Sequence, residues 1–199
     1  MKKKILILII LLIFVLSGLF SANKYYNTGD TVFSFNGGIN LPDFILFSKS
    51  SDNVFGFDTH IQVGGTLGLS YQVFLTNSLA LGGSLSYRFN SSISSDLFVL
   101  VPITAKLSYY PFQSEKFDLI LSVDAGISYF RYLEGKYVSP YVGISISPSY
   151  FFTKSWGLGL EAGINVNYDI YFASSSNNKS LHNAFGFFSP ITLKVIYRH

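Results

Sequence analysis

LALGGSLSYRF, residues 79 to 89, places Leu79, Leu81, Gly83, Leu85, Tyr87 and Phe89 at odd positions and Ala80, Gly82, Ser84, Ser86 and Arg88 at even ones. Successive side chains of an extended strand point to opposite faces, so the stretch predicts a strand with one apolar and one polar face. The same reading recurs at about 31–40, 59–73, 96–110, 117–131, 138–151, 156–171 and 187–198, with turn signals between. Eight such strands predict an all-β sheet or barrel. After residue 22 no helical period persists and no apolar run reaches the length of a membrane helix.

Alternation alone does not say whether the apolar face meets a core or lipid; the other face decides. On a soluble barrel it would carry charge over roughly a quarter to a third of the surface. Here it is small and neutral: Gly64, Thr66, Gly68 and Ser70 in one strand, Gly143, Ser145, Ser147 and Ser149 in another. Such residues suit the cramped interior of an eight-stranded closed sheet. Charged residues are 13% of the chain against roughly 25% in ordinary soluble domains. Aromatics reach 18% and gather near strand ends: Tyr109, Tyr110, Phe112, Phe151, Phe152 and Trp156 at one rim, Tyr129, Tyr132, Tyr168 and Tyr171 at the other. Two aromatic girdles around strands long enough to cross a bilayer predict an eight-stranded antiparallel up-and-down transmembrane β-barrel.

Lys2, Lys3 and Lys4 precede an apolar run from Ile5 to Leu16 and the small-residue stretch SGLFSA at 17–22. This pattern predicts a secretory signal peptide over 1–22 ahead of a barrel domain at 23–199, with an uncleaved anchor helix as the alternative. Subtracting those three lysines from 14 basic residues leaves 11 against 11 acids, so the mature chain is formally neutral. Net charge therefore points to neither nucleic acid nor anionic lipid. The absence of cysteine excludes disulfides, thiolate catalysis and thiolate metal sites.

The connections alternate in length. Short ones fall near 76–78, 113–116 and 153–155, whereas 41–58 and 173–186 are long. Alternate connections of a meander lie at opposite ends, so one end is trimmed and the other elaborated. The final run, ITLKVIYRH, sets Ile191, Leu193, Val195 and Tyr197 at every second place before His199. With these features the chain resembles the small eight-stranded outer-membrane barrels of bacteria, of the OmpX/OmpA type and OmpW-like group. That resemblance implies a location in the bacterial outer membrane, with its lipid and the barrel assembly machinery as partners. It also implies that Ile191, Leu193, Val195, Tyr197 and His199 form the assembly signal, His199 standing where the family has an aromatic ring.

On the inward face lie Arg88, Lys106, Asp118, Asp124, Glu161, Asp169, Lys194 and Arg198. Counting from the short turns puts Lys106, Asp124, Glu161 and Lys194 in one belt, and Arg88 is read as the fifth member of the same lumen network. A lumen charge network that satisfies buried charges is expected, with a gate or ion path as the competing reading. His60, His182 and His199 are far apart, and no metal site, cofactor or catalytic triad is indicated. His60 beside Asp58, or His182, is the thin basis for a lipid-modifying enzyme; the chain is expected not to be one. Phe44, Phe47, Phe55 and Phe57 lie in the first long connection. They could contact an extracellular protein or a small apolar ligand, or could simply extend the strands beside it. The functional readings are thus a structural or surface-interaction barrel with a filled lumen, and a narrow channel for small or hydrophobic solutes.

Overall fold

The computed structural model describes residues 25–47, 54–55, 61–92, 97–132, 135–169 and 184–199. The segment read as a signal peptide lies outside the described residues, as do Phe57, Asp58, His60, Tyr171 and His182. Regular structure in the described residues is entirely β: β1 (Thr31–Phe47), β2 (Val54–Phe55), β3 (Gly64–Phe74), β4 (Leu79–Ser91), β5 (Leu97–Gln113), β6 (Phe117–Tyr132), β7 (Gly135–Phe151), β8 (Trp156–Asp169) and β9 (Ala184–Arg198). Consecutive strands from β3 through β9 pair antiparallel, β1 pairs with β3, and β1 also pairs with β9. The last pairing closes eight strands into a barrel; β2 is a short addition beside the upper part of β1. Closure runs from Val32 opposite Arg198 to Phe47 opposite Ala184. It is completed by His199, whose N–H and carbonyl both bond to Thr31.

The apolar set of each strand faces out. Phe33, Phe35, Leu67, Leu69, Leu81, Leu85, Ile103, Leu107, Val123, Ile127, Ile144, Ile164 and Leu193 are all exposed, with Leu193 at 72%. An apolar outer wall around a lumen whose middle level is polar is a membrane barrel turned toward lipid. Aromatic pairs mark both rims. At the end with the short turns, called here the near end, Trp156 lies beside Tyr197. At the far end Tyr168 lies beside Phe185 and Phe44 stacks on Phe187.

Three expectations change in the structure. Residues 41–47 extend β1, the second of the two readings of the stretch holding Phe44 and Phe47, so the connection is shorter than 41–58 and the first strand longer than 31–40. A bulge between Pro42 and Phe44 reverses the alternation there, which hides the strand from a period-two reading. The second barrel strand starts at Gly64 instead of 59, with Ile61 forming an isolated bridge to Ser92. Tyr110 and Phe151, assigned by composition to a girdle, are 2% exposed and point into the lumen, while Tyr109 and Phe152 face out. A second bulge, between Tyr109 and Phe112, returns Gln113 to the inner face opposite Asp118.

The wall is tightly coiled where glycine permits it. A Cβ added at Gly82 would run into the Tyr71 carbonyl oxygen on β3, and one at Gly126 into the Ile103 carbonyl oxygen on β5. Backbone, unlike the tip of a side chain, cannot give way cheaply. Gly82→Val is therefore expected to reduce the fraction of protein that reaches the compact, heat-modifiable form on unboiled denaturing gels. Ser86→Val, two residues along the same face, should have the smaller effect.

Candidate functional site in the barrel lumen

The interior is built in layers. At the near end Val32, Phe74, Ala80, Tyr110, Ile120, Phe151 and Ile196 point inward and form an apolar layer. Tyr26, from the segment before β1, inserts into it, stacking on Phe74 with ring centres 4.0 Å apart and meeting Tyr110 edge-on at 5.4 Å. Its hydroxyl donates to Asp118 Oδ2 at 2.5 Å. Burial, and then the neighbouring Asp118 carboxylate, push this hydroxyl well above its ordinary range, which keeps it a donor. Gln113 Oε1 accepts the N–H groups of Tyr25 and Tyr26, and the Asn77 amide donates to the Tyr26 carbonyl.

Arg198 locks this plug from below. Its Nη1 lies 3.4 Å from Asp118 Oδ2, its Nε donates to the Lys154 carbonyl and its Nη2 to the Glu115 carbonyl. The guanidinium sits between two rings, 3.6 Å from the centre of Phe151 and 3.9 Å from that of Tyr25. A buried arginine so paired and stacked is satisfied electrostatically from several sides.

The middle layer holds the charge network. Lys106 on β5 stands opposite Asp124 on β6 in register, Nζ to Oδ2 3.2 Å, and reaches across the lumen to Glu161 on β8 at 3.7 Å. Lys194 on β9 donates to Glu161 at 2.7 Å. Hydroxyls and amides complete the carboxylates: Ser84 and Thr104 donate to Asp124, and Asn36 to Glu161. Arg88, one step toward the far end, donates to the Tyr141 hydroxyl at 2.7 Å, which in turn donates to Asn165 at 2.5 Å. Beyond it Phe98, Leu100, Phe130 and Phe188 form a second apolar layer, with Ile61 against it and Asn40 paired to Asn90.

The structure thus brings Lys106, Asp124, Glu161 and Lys194 into one connected belt and sets Arg88 beside it without a salt bridge among the described residues. In the C-terminal run, Ile191, Leu193 and Val195 face out, Tyr197 joins the near girdle, and His199 is exposed and contributes its backbone. Phe44 lies at the far rim on β1, stacked on Phe187; Phe47 and Phe55 are placed by backbone alone in β1 and β2. Sequence reasoning missed both apolar layers, Tyr26, Gln113 and Tyr141. Tyr141 shares parity with Gly143 and Ser145, so that signal was present. Tyr26 lies outside any strand, and nothing in its neighbours marks it.

A protein-family model whose description names no activity matches residues 19–197. The chain belongs to that family. A curated relative, an uncharacterized protein of Treponema pallidum (strain Nichols), is 29% identical over 96 residues, 48% of this chain and 43% of the relative. The chain therefore matches less than half the length of that relative. Among solved structures, Neisserial surface protein A aligns with a TM-score of 0.53 and 16% identity, covering 85% of this chain and 97% of that one. The outer membrane protein OprG from Pseudomonas aeruginosa aligns with 0.51 and 10%, covering 88% and 99%. With the closed sheet and apolar wall, these likenesses make the fold that of a small eight-stranded outer-membrane barrel.

Removing one member of the belt strands another. Glu161→Gln leaves Lys194 without a counter-charge and is expected to cost about 3–5 kcal/mol, read by urea unfolding in lipid vesicles. The paired change Glu161→Met with Lys194→Met should cost less than the single change. In the plug, Tyr26→Ala is expected to cost about 3–5 kcal/mol, as large aromatic truncations in packed interiors do. Tyr26→Phe should cost less, because only the bond to Asp118 is lost.

Proposed function

We propose that the protein resides in the bacterial outer membrane as a non-conducting barrel whose role is structural or surface-directed. The single observation carrying this reading is the order of the lumen: an apolar plug at each end with an ion-paired layer between. A solute crossing the barrel would have to displace Tyr26 and its partners, break the Lys106–Glu161 contact and part Phe98 from Phe130. A channel needs sites that are entered and left easily. Here each charge of the belt is already held by protein.

The girdles and apolar wall account for residence among lipids, and the alternating C-terminal run fits recognition by the barrel assembly machinery. The connections at the far end, the longer set in the sequence, are then the parts offered to the outside, where an extracellular protein or small apolar ligand would be met. In planar bilayers wild-type protein, Lys106→Ala and Glu161→Ala are all expected to stay at baseline. A steady wild-type current would overturn the filled-lumen reading in favour of a channel. Because the chain has no cysteine, Ser175→Cys should label with a membrane-impermeant maleimide in intact cells and Glu115→Cys should not. The reverse pattern would overturn the orientation.

A further inference from the structure

Arg88 is a buried charge that the protein itself leaves partly unanswered. It is 7% exposed, donates one bond to a neutral hydroxyl, and its Nε and Nη1 have no hydrogen-bond partner among the described residues. A lysine in such a place could shed its proton; a guanidinium cannot. The two carboxylates nearby are engaged, Asp124 by Lys106, Ser84 and Thr104, and Glu161 by Lys194, Lys106 and Asn36.

These groups line one lumen cavity of about 40 Å³. Its charged lining is Arg88, Lys106 and Lys194 against Asp124 and Glu161, three positive minus two negative, an excess of one positive charge. Ser145 and Thr192 line the same cavity with hydroxyls that have no partner among the described residues. One water-sized particle needs about 10–15 Å³ by this measure, so the space holds roughly three. That suits a halide with a water or two and is too small for a phosphate ester or an acyl chain.

We propose that this cavity is a binding site for one small monovalent anion of halide size. The free N–H groups of Arg88 are its principal donors, and the Ser145 and Thr192 hydroxyls are available as further ones. The anion acts as a resident counter-ion, balancing a charge that the wall of the barrel does not. The site rests on the cavity's own residues and not on the sealed-lumen reading. Failure of that reading shows as bilayer current; failure of this one shows as missing halide.

Full-length protein refolded into detergent micelles in bromide, so that the ion need not pass either plug, and then crystallised should show an anomalous bromide peak within hydrogen-bond distance of Arg88. Its melting midpoint should rise with bromide concentration at constant ionic strength made up with gluconate, as expected for a ligand of the folded state. Arg88→Gln should lose both the peak and the bromide dependence. A lumen without bromide, or bromide only on the outer surface as an adventitious ion, would overturn the proposal. So would an equal bromide dependence in Arg88→Gln. If that variant does not fold, the wild-type peak alone decides.

Discussion

Every other feature of this molecule depends on the hydrogen-bonded seam between β1 and β9. In lipid an unpaired row of N–H and C=O groups has no partner, and each such group costs several kcal/mol. The sheet must therefore close, and here it closes along nearly the whole length of β9 and on to the backbone of His199. Because the seam joins the first strand to the last, none of the barrel's bilayer-crossing form is complete until nearly the whole chain is in place.

Closure with only eight strands then dictates the interior. The circumference leaves space for side chains and little more. The wall must coil sharply where β3 meets β4 and β5 meets β6, which Gly82 and Gly126 allow. Buried serine and threonine fill much of the polar wall, among them Ser70, Thr104, Ser108, Ser122 and Ser147. The outcome is a polar, ion-paired middle between two apolar layers. In a lumen walled off from water, charges are retained only where another charge or a set of dipoles meets them. Four members of the belt follow that rule within the protein, and Arg88 follows it incompletely.

The near-end plug joins segments that lie far apart in the sequence. Tyr26, before the first strand, and Arg198, at the end of the last, converge on Asp118 in the middle of the sequence. Arg198 also bonds to the turns containing Glu115 and Lys154. The same group of contacts thus fills the near end of the lumen, ties two turns together and anchors the segment before β1 and the end of β9 beside the seam. Insertion of Tyr26 adds an aromatic ring packed against Phe74 and Tyr110 to those the wall supplies.

Period-two alternation was enough to read the strands, the outward face and the inward position of Lys106, Asp124, Glu161 and Lys194, because lipid demands an apolar side chain at every second place and tolerates few exceptions. It failed where bulges reset the phase, at Asp43 and near Tyr109, and it overlooked inward Phe98, Leu100 and Phe130 because parity was weighed by polarity. The sequence by itself determined which face each strand turns to the membrane, since that depends only on neighbours one and two residues away. Only the tertiary structure decided that Lys106 reaches Glu161 across the lumen, that Tyr26 is the plug, and that Arg88 has no carboxylate of its own. Those contacts depend on the stagger of strands around a closed wall, a global property that no local stretch encodes.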